Sequence, residues 1–199
     1  RHRYQVLNPH RFIDLSTNTL GYYCYYNLHG TSEKSTDSHL LTIYASGFTP
    51  TDAGLIPTGE ILPVEGTPLD FRTPHAIGER IGRTDYEPLA FGNGYDHNWV
   101  LDKPEAGTVS LAAEAYEPAT GIRMKIYTDQ PGLQFYAGQG MDGKEVGKRG
   151  DRHNFRSGIA LETQNFPDAP NHDNFPSSVL HPGETYTQHT VYAFETDKR

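Results

Sequence analysis

The sequence predicts an all-β fold, an antiparallel β-sandwich, and three observations carry that prediction. The 199 residues are punctuated throughout by 20 Gly and 14 Pro, short strand-like runs lie between these breaks, and few segments show a helical period. The rings, 13 Tyr and 9 Phe against 2 Met, suit many short strands joined by turns. No internal repeat, low-complexity tract or compositional shift marks a linker, so residues 1–199 read as a single domain.

The elements follow in chain order. HLLTIYA, from His39 to Ala45, reads as a strand, and residues 48–68 read as a long ordered connection. PHAIGERIG, from Pro74 to Gly82, is the one helix candidate, kept short by its two glycines. NWVL, Asn98 to Leu101, is a short strand. Val109–Tyr116 and Ile122–Thr128 flank a turn containing Pro118 and Gly121 and form the clearest hairpin. In its second strand Ile122, Met124 and Ile126 point to a core while Arg123 and Lys125 point to water. Gly132–Gly138, Gly158–Thr163 and Gln188–Phe194 complete the set. The glycine-rich, basic stretch from Gly138 to Phe155 reads as a solvated mobile loop, because no strand-to-helix context makes it a phosphate site.

Charge and composition exclude whole classes. A net charge of −8 without a Lys/Arg cluster argues against nucleic-acid or anionic-membrane partners. No apolar run approaches the roughly 20 residues that span a bilayer, so the chain reads as soluble. One cysteine, Cys24, rules out an internal disulfide framework and, with no N-x-S/T acceptor, points to the cytoplasm. The ten histidines show no HxH, HxxxH or HExxH spacing, which argues against a metal centre. GxSxG is absent, so a serine hydrolase is disfavoured.

Three motifs carry candidate chemistry. Glu162 leaves the apolar strand Gly158–Thr163 for a loop stiffened by Pro167, Pro170 and Pro176, a rigid setting that suits a general base. Asp96, in GYDHN, precedes the lone Trp99. Strand alternation sends Asp96 and His97 to opposite faces, so only one of them meets a given pocket. Gln134 lies among apolar neighbours in GLQFYAG, where it suits either a sugar hydroxyl or a structural amide. A carboxylate, an aspartate and amides among rings favour a carbohydrate site over a metal site.

Taken together, LIPTGEILPVEGTPLDFRTP, GYDHNWVL, YTDQPGLQFYAG and SGIALETQNFPDAPNHDNFPSSVLHPGETY, in this order, closely resemble the C-terminal part of the aldose 1-epimerases, or galactose mutarotases. The match is strong over residues 39–194 and weak over 1–38. The resemblance implies a mutarotase-like β-supersandwich incomplete at its N-terminus, leaving a sheet edge exposed. It also implies cofactor-free interconversion of the α and β anomers of a hexose such as glucose or galactose. Carried over residue by residue, the general base falls on Glu162, the hydroxyl-binding aspartate on Asp96 and a substrate-contacting glutamine on Gln134. The family's acid is a histidine in a motif like NHSYFNLAG; anchoring on YNL in YYCYYNLHG places Tyr23 there, with Tyr25 as a further substrate contact. Phenol titrates near 10 against about 6.5 for imidazole, so Tyr23 is the weaker acid. His29 sits in an ordinary loop position and does not replace it. A sugar-binding protein of the same fold without catalysis is the alternative.

Overall fold

In the computed structural model the residues described are 24–31, 33–147 and 150–197. Two antiparallel sheets face each other across one core. The six-stranded sheet runs in the order β1 (Tyr25–Tyr26), β10 (Ile159–Gln164), β9 (Gly132–Tyr136), β6 (Asp96–Leu101), β3 (Ala45–Thr49), β4 (Leu62–Pro63). The five-stranded sheet runs β11 (Thr190–Thr196), β8 (Ile122–Thr128), β7 (Ser110–Glu117), β2 (Leu40–Ile43), β5 (His75–Ala76). The expected hairpin is β7–β8, and its alternation holds: Met124 and Ile126 are fully buried between the sheets.

Two expectations change. The run His39–Ala45 is two strands, because the chain leaves one sheet after Ile43 and enters the other at Ala45. Tyr44 is the corner: its N–H donates to Ala112 O and its carbonyl accepts from Asp102 N–H, so the bend leaves no orphaned backbone group. The segment from Pro74 to Gly82 is not an α-helix but strand β5 followed by one 3-10 turn, Ile77–Glu79. Neighbours override its helical pattern, since Ile77 N–H donates to His39 O and Gly78 N–H to Asp37 O. Among the described residues the α-helix is instead α1, Glu87–Gly92, six residues with Pro88 in the first turn and Asn93 left-handed at its end.

The core packs rings against rings. Phe71, Tyr95, Trp99 and Phe135 are essentially excluded from water, with Tyr95 stacked on Phe135 at 5.3 Å and Phe71 edge-on to Tyr95 at 5.1 Å. Their polar atoms are satisfied: Tyr95 Oη donates to Pro68 O and Trp99 Nε1 to Leu69 O. Edge strand β11 leaves Val191 and Phe194 exposed. The stretch 138–155 carries a bridge between Val146 and Arg152 and paired bonds from Gly143 N–H to His153 O and Gly147 N–H to Asp151 O.

Gly138 closes the junction between β9 and β10. Its φ is +73°, and a Cβ there would strike the carbonyl oxygen of Gly158. Gly138→Ala is therefore expected to lower stability by at least ~1 kcal/mol, read as a drop in the urea midpoint with an unchanged slope. A midpoint equal to the parent's would show that the junction tolerates a side chain.

Candidate functional site

One pleat decides which residues meet. On β6, His97, Trp99 and Leu101 turn into the core, so Asp96, Asn98 and Val100 line the outer face of the six-stranded sheet. Register carries this face across the neighbouring strands. Asp96 pairs with Tyr136, which pairs with Ala160, which pairs with Tyr25. In the adjacent row Asn98 pairs with Gln134, and Gln134 with Glu162. Phe166, Ala169 and Phe175 pack together with Val100 and cover one end of this face. Asp96, Gln134 and Glu162 lie toward the other end, beside Tyr25 and Tyr136.

Glu162 occupies the interior of β10, not the strand end expected, because the strand runs on to Gln164. The sheet, not the proline-rich loop, therefore holds it rigid. It is 9% exposed. Burial, and then the neighbouring Asp96 carboxylate, push its pKa up to about 7. Asp96 is half-buried and its pKa is also raised by burial, an effect opposed by Gln134, whose Nε2 donates to Asp96 Oδ1 at 2.7 Å. Two neighbouring carboxylates with different environments are an arrangement in which one stays ionised while the other exchanges a proton near neutrality.

Tyr25 lies at the rim, 54% exposed, its ring edge-on to Tyr136 at 6.2 Å. Its phenol is held above 10 by burial, then by Tyr136, Glu162 and Asp96. It is thus a protonated donor at neutral pH. Tyr23 lies outside the described residues.

The histidines near these motifs are committed elsewhere. His97 is buried on the core face as alternation requires; its Nδ1 accepts from Asp96 N–H, and its Nε2 lies 3.1 Å from Pro88 O. Burial lowers its pKa to about 4, so it is neutral. His29 is not in an ordinary loop environment. It packs edge-on to His39 at 5.0 Å beside Glu117, a grouping that sequence spacing concealed because the histidines are ten residues apart in the β1–β2 connection and Glu117 ends β7. The donor set does not suit a metal. Leu28 N–H donates to His39 Nε2, which leaves Nδ1 as the protonated nitrogen, facing Glu117 Oε2 at 2.9 Å. Glu117 is itself filled by Ser38 Oγ at 2.6 Å and Ala119 N–H at 2.8 Å. This cluster anchors residues 28–29 to the second sheet. A cavity of about 610 Å³, lined by Val100, Lys103, Asp129, Phe166 and Tyr186 among others, does not reach Glu162.

Comparison with known proteins places the chain among relatives. The family model described as aldose 1-epimerase matches residues 14–193. Human galactose mutarotase is 40% identical over 170 residues, covering 85% of this chain and 47% of that protein. Aldose 1-epimerase of Escherichia coli (strain K12) is 34% identical over 173 residues, covering 85% and 48% respectively. The crystal structure of a GalM/aldose epimerase homologue from C. elegans superposes with a TM-score of 0.75 at 30% identity, covering 88% of this chain and 50% of that one. The chain thus spans about half the length of the relatives it matches. Among the described residues no helix is long and apolar enough to cross a membrane. Because the matched span takes in β6, β9 and β10 together with the carboxylates and amide they present, the chain belongs to the aldose 1-epimerase family.

Proposed function

We propose that the outer face of the six-stranded sheet interconverts the α and β anomers of a hexose such as glucose or galactose. The observation that supports this most strongly is the pairing of Glu162, whose carboxyl titrates near neutrality, with Asp96 on the same face. Ring opening needs a base for the proton on the C1 hydroxyl and an acid for the ring oxygen; after C1 rotates, the two reverse their roles. Glu162 takes the base role. Asp96, with Gln134, binds sugar hydroxyls by charge-assisted hydrogen bonds. Tyr25 and Tyr136 offer rings for the sugar's apolar face and phenols for its oxygens. Tyr23 takes the acid role by register with the family's histidine. The reaction moves only protons, so it requires neither cofactor nor metal, and neither a nucleic acid nor a membrane surface. The chain works as one domain, and its single exposed cysteine suits the cytoplasm.

Polarimetry of freshly dissolved α-D-glucose and α-D-galactose, corrected for spontaneous mutarotation, tests this reading. Glu162→Gln keeps the shape and removes the base, and is expected to cut the acceleration by about 10²–10⁴-fold. Unchanged acceleration in a folded variant would remove Glu162 from the mechanism. Because the base must be ionised, the rate should climb with pH up to about 7 and flatten above it; a rate that falls over that range would contradict the role. Tyr23→His is expected to raise the rate, since imidazole titrates nearer neutrality than phenol. No gain in a folded variant would break the register that assigns Tyr23.

A further inference from the structure

The outer face carries a ladder of amides that the proton chemistry does not use. Gln134 donates from Nε2 to Asp96 Oδ1, so its Oε1 points the other way and needs a donor. Gln164 supplies it: its Nε2 lies 3.3 Å from Gln134 Oε1 and 3.3 Å from Asn98 Oδ1. Asn98 in turn donates from Nδ2 to Thr49 Oγ1 at 3.3 Å. Both donors of the Gln164 amide are thereby assigned, and the order of donation runs from Gln164 through Gln134 to Asp96. Gln164 and Asn98 are 5% and 2% exposed. Gly132, which pairs with Gln164 and Val100, makes room for the ladder, since a Cβ there would run into Asn98 Oδ1.

An amide can turn over and offer its oxygen in place of its NH2. Such a flip at Gln134 would set a lone pair against the Asp96 carboxylate, a repulsive contact beside a second carboxylate. Gln164 opposes the flip from the other side, because a flipped Gln134 would set its NH2 against the Gln164 NH2. We infer that Gln164 is a positioning residue, which acts through Gln134 to hold an N–H on Asp96 and so keeps that aspartate ionised beside Glu162. The inference rests on reading the Asp96–Glu162 face as the acid/base site. Gln164 itself sits in the row beyond Glu162, over Gly132 and away from Tyr25 and Tyr136.

The test is a titration by carboxyl ¹³C NMR of Asp96 and Glu162 in the full chain and in three variants: Gln164→Met, Gln134→Met and the double variant. Methionine keeps the length of glutamine and removes its donor. In Gln164→Met the Asp96 midpoint should rise and the Glu162 midpoint should fall, each by about half to one pH unit, the size of one ordinary net hydrogen bond. In the Gln134→Met background the same change should move neither midpoint further. Unmoved midpoints in folded Gln164→Met, or an equal shift in both backgrounds, would overturn the inference. The parent protein gives an independent reading should the variants fail to fold. The Gln164 side-chain NH2 resonances should shift together with Gln134's as Asp96 titrates; resonances that stay fixed would overturn the ladder. Neither reading needs turnover, so absence of mutarotation would remove the proposed function while the titration alone decides the role of Gln164.

Discussion

The pairing of β9 between β6 and β10 is the constraint on which the site depends. Gln134 is the middle member of a row that runs from Asn98 to Glu162, and Tyr136 is the middle member of the next row, from Asp96 to Ala160. Side chains alternate with a period of two, so a slip of one residue in either pairing would send a carboxylate into the rings of the core. The same rings oppose the slip. Trp99, Leu133, Phe135 and Leu161 fill the inner face completely, and moving any of them outward would expose a large apolar surface. Packing on one side of the sheet thus fixes chemistry on the other.

That chemistry carries an energetic penalty that the fold absorbs. Raising Glu162 from 4.5 to about 7 disfavours its ionised form by on the order of 3 kcal/mol. The folded state holds this proton more tightly than the unfolded chain, so the penalty is absent below 4.5, grows as pH rises toward 7 and is complete above it. His39 and His97, each lowered to about 4 by burial, act in the other direction. They are neutral when folded and protonated when unfolded below 6.5, so the stability from keeping them neutral is lost as pH falls from 6.5 toward 4. Titrating groups therefore oppose the fold on the acid side through the histidines and near neutrality through the carboxylate. The ring cluster and the backbone ladders must outweigh both.

Much of this was readable from residues alone, for reasons that differ by element. Strand β8 declares itself because apolar and charged residues alternate cleanly, and Asp96 and His97 separate to opposite faces because a pleat leaves no choice. Glu162, Asp96 and Gln134 were placed by motif, and the structure brings all three to one face. Helix α1 escaped because six residues are too few to show a period and its stop signal is an asparagine, Asn93, rather than glycine. The corner at Tyr44 escaped because continuous apolar text does not say which sheet it joins. Gln164 escaped too: a glutamine after LET looks like the start of a loop until pairing with Gly132 extends the strand through it. The grouping of His29, His39 and Glu117 shows the general limit, since local spacing cannot report which residues strand pairing brings together.

The central claim is that burial and Asp96 together set Glu162 to exchange its proton near neutrality. A carboxyl ¹³C titration of Glu162 in the parent chain and in Asp96→Asn tests it most directly. A midpoint near 7 that falls when Asp96 loses its charge is the result expected. A midpoint near the ordinary 4.5, or one indifferent to Asp96, would contradict the account.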